Sequence, residues 1–308
     1  MTLANDPRGA ARIGPSSTPL RVPTSRDAAH RPRVVALDLD GTLLASDGSV
    51  SARNSAAVRA CAGRDIRPVI ASARPPRSVA ALLPPDFPAV TWICYNGAEV
   101  WHAGRRVIHR AIAPEHAHAL LAAIETHAPA ATICAEFDDR LYANRPLRQP
   151  WEHSVVDLRA AITQPVSKIL FAADEVPNLA ALRAALPEEY SVCVTDRGCL
   201  GHIMAPGVSK ALALAALLDR VGLSLADVIA FGDDHNDLEL IAAAGTGVAM
   251  GNAIADLKAV ATHVTATNDR DGVAAVLEAV LAALPAADGV SGSVLSARIG
   301  EGQGEPER

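Results

Sequence analysis

Val34-Val35-Ala36-Leu37-Asp38-Leu39-Asp40-Gly41-Thr42-Leu43 is the stretch from which the fold of this 308-residue chain is read. It starts as an unbroken apolar run, the pattern of a strand buried on both faces. Asp38 stands at the end of that run. Asp40 follows two positions later and can return to the same side. Gly41 permits a sharp turn and lets the backbone approach an anion closely. Two carboxylates this near repel unless a cation or a proton sits between them. A strand end with a solvated Asp-Gly turn accounts for the same letters, so this stretch alone leaves both readings open.

Working outward, further short apolar runs alternate with Ala/Leu-rich helical stretches. Val69–Ala71, Val90–Cys94, Ile169–Ala172, Val228–Phe231 and Gly247–Met250 read as strands. Ser51–Ala62, Glu115–His127, Asn178–Leu186, Lys210–Val221 and Gly272–Leu284 carry a helical period. Alternation of this kind predicts an α/β fold with a mostly parallel sheet. Ligands of such sheets bind beyond the carboxyl ends of the strands.

Three other strand ends or turns are chemically notable. Ile70-Ala71 leads into Ser72-Ala73-Arg74, where the Ser72 hydroxyl and the Ala73 N–H suit a phosphate oxygen. Ser72 before Pro75 and Pro76 also suits a helix N-cap. Gly207-Val208-Ser209-Lys210 opens a helix with Ser209 as its N-cap. A cation in the first turn opposes the helix dipole, which makes sense if Lys210 faces a bound anion; an exposed helical lysine is the plainer alternative. Phe231-Gly232-Asp233-Asp234-His235-Asn236-Asp237 puts three aspartates and an asparagine into five residues, more than a cap needs. Hard oxygen ligands at a strand end suit Mg²⁺. His235, flanked by acidic residues, reads as a solvent-facing turn residue.

The bulk properties narrow the function. The formal net charge is -6 and no long run of one sign occurs, which speaks against a nucleic-acid partner or a basic membrane patch. No apolar stretch reaches membrane-spanning length. The histidines show no zinc-ligand spacing. Cys61, Cys94, Cys134, Cys193 and Cys199 form no CxxC pair and are expected to be small buried hydrophobes in a reducing, cytoplasmic setting. Residues 1–32, rich in Pro, Arg and Ser, and the Gly/Ser/Glu-rich residues 285–308 are expected to be disordered extensions.

Taken together and in order, the four motifs resemble those of the haloacid dehalogenase superfamily, and more narrowly its Cof-type phosphatases. Tyr95-Asn96-Gly97-Ala98, Gly247-Val248-Ala249-Met250-Gly251-Asn252-Ala253 and Asn268 to Gly272-Val273 add local matches. The resemblance implies a Rossmann-like core from residues 33–97 and 203–284, with an α/β cap inserted at 98–202. It also implies a role for each site residue. Asp38 would be the nucleophile and Asp40 the acid and base. Leu39 and Ala73 would offer N–H groups to the phosphoryl oxygens, together with the side chains of Ser72, Lys210 and Asn236. Mg²⁺ would be held by Asp38, the Asp40 carbonyl and Asp233, with Asp237 orienting Lys210 or a metal-bound water. In the cap, Glu136, Asp138, Arg140 and Tyr142 are candidates to face the site, although Asp138-Asp139 also reads as a hydrated turn. Ala73 and Ala211 stand where the family usually has glycine, and Gly201-His202-Ile203 replaces a frequent acidic position. The implied activity is hydrolysis of a small phosphorylated metabolite: a sugar phosphate, a pyridoxal phosphate-like compound or a ribityl phosphate of flavin synthesis. The alternatives are a sugar phosphomutase and a non-catalytic phosphate-ligand-binding module.

Overall fold

In the computed structural model, which describes residues 31–285 except 90, 196 and 197, the apolar run becomes strand β1 (Val34–Leu37), buried along its whole length. It is followed by β2 (Arg67–Ala71), β3 (Thr91–Cys94), β4 (Glu99–His102) and β5 (Arg105–His109). Next come β6 (Ile133–Phe137), β7 (Arg140–Ala143), β8 (Ser154–Val155), β9 (Lys168–Ala172), β10 (Cys193–Thr195) and β11 (Leu200–Ile203). β12 (Val228–Gly232), β13 (Thr246–Ala249) and β14 (His263–Val264) follow. The expected strands and helices are present, with ends moved by no more than two residues. The extensions expected at 1–32 and 285–308 fall outside the described residues, apart from 31, 32 and 285, and so does Val90.

Two sheets form. The first has the order β14-β13-β12-β1-β2-β3-β4-β5. Its strands from β14 to β3 run parallel, which places the carboxyl ends of β1, β2 and β12 side by side. Parallel strands need covering on both faces, and the helices supply it. Leu214, Leu217 and Leu218 of the helix Lys210–Asp219 and Val273, Val276 and Leu277 of the helix Gly272–Ala283 belong to the core around this sheet. The second sheet, β10-β11-β9-β6-β7-β8, is built largely from antiparallel pairs. The helix Pro114–His127 packs into its separate apolar core through Leu120, Leu121 and Ile124.

One part of the expected insertion lies elsewhere. β4 and β5, within 98–202, form an antiparallel hairpin that extends the first sheet, so the second sheet begins only at β6. The reason is the length of the Tyr95–Gly97 turn. It reverses the chain with positive φ at Tyr95, Asn96 and Gly97. A reversal that short can only pair the next strand back antiparallel; a parallel return needs a long crossover.

The cysteines match expectation in part. Cys61, Cys94 and Cys134 are buried, Cys193 is half-buried and Cys199 is exposed beside the turn between β10 and β11; none is in a disulfide. No helix among the described residues is long and apolar enough to cross a membrane.

Candidate active site

β1 ends at Leu37, and Asp38 is locked to the neighbouring strand by its N–H, which donates to the Phe231 carbonyl at 3.2 Å. The chain then makes one irregular turn over Leu39–Leu43. Gly41 takes φ +73°, and a Cβ there would also collide with the Asp233 carboxylate. This glycine is therefore needed twice, for the left-handed turn and for the approach of β12's loop. The side-chain amide of Asn252 donates to the Gly41 carbonyl at 2.7 Å. Asn268 donates its backbone N–H to Asn252 Oδ1 at 3.0 Å and its amide to the Leu44 carbonyl at 2.9 Å. The two asparagines thus brace the loop that carries Asp38 and Asp40.

Lys210 is the centre of the site. Its side chain is wholly buried, and Nζ lies 2.7 Å from Asp38 Oδ1 and 2.7 Å from Asp237 Oδ1. Ser209 caps its helix by accepting from the Leu212 N–H. Burial disfavours the ammonium, but Asp237 and Asp38 outweigh it and push the lysine pKa up. Asp237 is itself held by the Asp233 and Asp234 N–H groups, which donate to its other oxygen at 3.0 and 3.3 Å. Asp233 accepts from the Thr42 hydroxyl at 3.2 Å.

The acidic groups are crowded. Asp38, Asp233 and Asp237 each bring an oxygen to within 4.8 Å of the others. Burial raises the Asp38 pKa well above the carboxylate range; Lys210 draws it back, while Asp237, Asp233 and Asp40 push it further up. Burial and then the Asp237 charge push Asp233 up to about 7. Carboxylates forced together in this way fit a hard divalent cation, which would relieve the repulsion between them. Asp237 is committed to Lys210 and two N–H groups, so Asp38 and Asp233 are the carboxylates with room for an ion.

Ser72 is fully buried at the end of β2. Its N–H donates to Ile93 O at 2.8 Å, its carbonyl accepts from the Asn96 N–H at 3.0 Å, and its hydroxyl oxygen accepts from the Arg74 N–H at 3.1 Å. It is not a helix cap; the next helix, Pro76–Leu82, starts after Pro75 with no side-chain cap. Leu39 and Ala73 stand next to Asp38 and Ser72 in these same turns. Asn236 donates its amide to Asn96 Oδ1 at 2.9 Å, which links the β12 loop to the Tyr95–Gly97 turn whose Asn96 N–H holds the Ser72 carbonyl. His235 is exposed and pairs with Asp234, away from these contacts.

Several contacts were not visible in the sequence. Arg74 grips Asp40 with two bonds of 2.7 Å, one to each carboxylate oxygen. Its signal was a lone cation among small residues just after a strand end. Thr42 and Asn96 lay inside quoted motifs without an assigned role. Arg77 reaches across to the second sheet, meeting Glu136 at 2.8 Å and Asp139 at 3.0 Å. Of the cap candidates, Glu136 is buried at this junction. Asp138 and Asp139 form a turn with φ of +53° and +52°, and Arg140 is exposed. Tyr142 turns to the other face and stacks on Phe137 with ring centroids 4.3 Å apart. The alternation of β7 makes that orientation unavoidable, because Tyr142 pairs with Ala135 of the helix-covered face.

A parallel α/β sheet whose adjoining strand ends gather carboxylates around the buried lysine of a neighbouring helix defines a Rossmann-like α/β core with an acidic centre. The chain belongs to the haloacid dehalogenase-like hydrolases, whose family model matches residues 35–277. It is similar to the 5-amino-6-(5-phospho-D-ribitylamino)uracil phosphatase YitU of Bacillus subtilis, at 30% identity over 265 residues, 80% of this chain and 97% of that protein. Among solved structures it is similar to a haloacid dehalogenase-like hydrolase from Bacteroides thetaiotaomicron, with 28% identity and TM-score 0.69 over 81% of this chain and 100% of that one. It is also similar to SMU.1108c from Streptococcus mutans UA159, with 26% identity and TM-score 0.73 over 82% of this chain and 99% of that one.

Proposed function

We propose that the chain hydrolyses phosphate monoesters of small polar metabolites through an aspartyl-phosphate on Asp38, with Mg²⁺ as its cofactor. The observation that carries this reading is the buried ammonium of Lys210 set 2.7 Å from Asp38. It holds the carboxylate in one orientation at a strand end and supplies positive charge where a phosphoryl group would arrive.

In the first step Asp38 attacks phosphorus and the P–O bond to the leaving group breaks. Asp40 protonates the departing oxygen. In the second step Asp40 takes a proton from water, the water oxygen bonds to phosphorus, and Asp38 is released with inorganic phosphate. Arg74 orients Asp40 in the resting protein; the pair is half-exposed, so water screens it and Asp40 is free to exchange this partner for the substrate. Lys210, the Ser72 hydroxyl, the Asn236 amide and the N–H groups of Leu39 and Ala73 receive the phosphoryl oxygens. Asp237 keeps Lys210 charged and aimed. When bound by Asp38, Asp233 and the Asp40 carbonyl, Mg²⁺ supplies charge neutralisation between nucleophile and phosphate.

The names of the Bacillus relatives make a ribityl phosphate ester the first compound to test. Phosphate release from a panel of sugar, pyridoxal and ribityl phosphates is measured with and without Mg²⁺. Turnover is expected only with the metal. Asp38→Asn is expected to abolish turnover and keep phosphoester binding. A panel with no phosphate release, or full activity in Asp38→Asn, ends this reading.

A further inference from the structure

Lys168 begins β9 in the second sheet, yet its side chain ends in the loop that carries Ser72. Its Nζ donates to the Ala73 carbonyl at 2.9 Å and lies 3.4 Å from Glu136 Oε1, with the side chain only 4% exposed. It also sits 5.4 Å from the centre of the Tyr95 ring. Glu136 is shared between two cations, with Arg77 on one oxygen at 2.8 Å and Lys168 facing the other. Beyond that ion pair, Lys168 makes a shorter bond into the Ser72 loop, to the Ala73 carbonyl.

That carbonyl shares a peptide unit with the Arg74 N–H, and the Arg74 N–H donates to Ser72 Oγ at 3.1 Å. An unbroken chain therefore runs from the Lys168 ammonium, through one peptide, to the Ser72 hydroxyl. A cation on the carbonyl end polarises the peptide and strengthens the bond made by its N–H end. With that N–H fixed on its oxygen, the Ser72 hydroxyl keeps its own proton for another acceptor.

We propose that Lys168 is a positioning residue: from the second sheet it fixes the Ala73–Arg74 peptide, and through it the direction in which Ser72 donates to a phosphoryl oxygen. The phosphate loop is then complete only when the second sheet is seated on the first. This inference rests on the phosphatase reading of the same site.

The test is a double-mutant cycle between Lys168→Met and Ser72→Ala in the full chain. It is read by Mg²⁺-dependent turnover of p-nitrophenyl phosphate and by calorimetric binding of inorganic phosphate. Lys168→Met is expected to lower kcat roughly tenfold, the scale of one charge-assisted hydrogen bond, with a smaller change in KM. Lys168→Gln, which keeps a neutral donor, recovers part of the loss and serves if the Met variant does not fold. In the Ser72→Ala background, either substitution at Lys168 should cost almost nothing more. Wild-type kcat in the Lys168 variants, or an equal loss in both backgrounds, overturns the proposal. If the wild-type protein turns over no phosphoester, the hydrolase reading falls, and the phosphate-binding cycle still decides the role of Lys168.

Discussion

Asp233→Asn isolates the electrostatic load of the acidic centre. Asp233 is raised from the ordinary 3.8 to about 7, by burial first and by Asp237 second. A raised carboxyl pKa means that the folded state holds the proton more tightly than the unfolded chain. The associated stability is full below about pH 4 and is lost as the pH rises through about 7. The difference between the two values corresponds to roughly 4 kcal/mol. Coupling to Asp38 and Asp237 brings the share removable at this one residue to about 2 kcal/mol. Asparagine keeps an acceptor for the Thr42 hydroxyl and removes the charge. In EDTA at pH 8 the variant should therefore melt about 4–8 °C above wild type; below about pH 4, where Asp233 is protonated in both the folded and the unfolded chain, the two should nearly coincide. Mg²⁺ should raise the wild-type melting temperature and leave that of the variant almost unmoved, because one of the two available carboxylates is gone. Thermal melts at both pH values, in EDTA and in Mg²⁺, read all of this. A variant that melts no higher than wild type at pH 8, or that keeps the full Mg²⁺ response, refutes the reasoning.

Two glycines give further tests. Gly41→Ala forces a Cβ into φ +73° and against the Asp233 carboxylate; displacing the acidic loop should lower kcat roughly a hundredfold, and unchanged kinetics would remove the close approach from the account. Gly201→Ala on β11 places a Cβ against the Phe171 ring inside the second sheet's core. Overpacking there should destabilise the fold by about 1–3 kcal/mol, seen as a lower melting temperature; a melt unchanged from wild type would mean that Phe171 can move aside freely.

Legibility in the sequence followed the range of the interactions. Val34–Leu37 reads as a buried strand because its apolar run is local, and Ser209 reads as a cap because the N–H it serves is three residues away. The Tyr95–Gly97 reversal was harder to see. Its consequence, that β4 and β5 join the first sheet, depends on left-handed backbone at a tyrosine and an asparagine, which composition does not announce. Tyr142 is a candidate for the site on its chemistry alone, and the strand's alternation puts it on the other face, stacked on Phe137.

Asp38, Asp40, Ser72, Lys210 and Asp233 were each nameable from the sequence, since four of them follow the end of an apolar strand and Lys210 opens a helix capped by Ser209. The sequence by itself thus determined the α/β architecture and the residue types available for chemistry. Only the tertiary structure decided which charges share one space. Lys210 meets Asp38 across 172 positions, Arg74 grips Asp40 across 34, and Lys168 reaches Ala73 across 95. Charge pairing acts through distance in space and is strongest where water is excluded, and neither quantity is written along the chain.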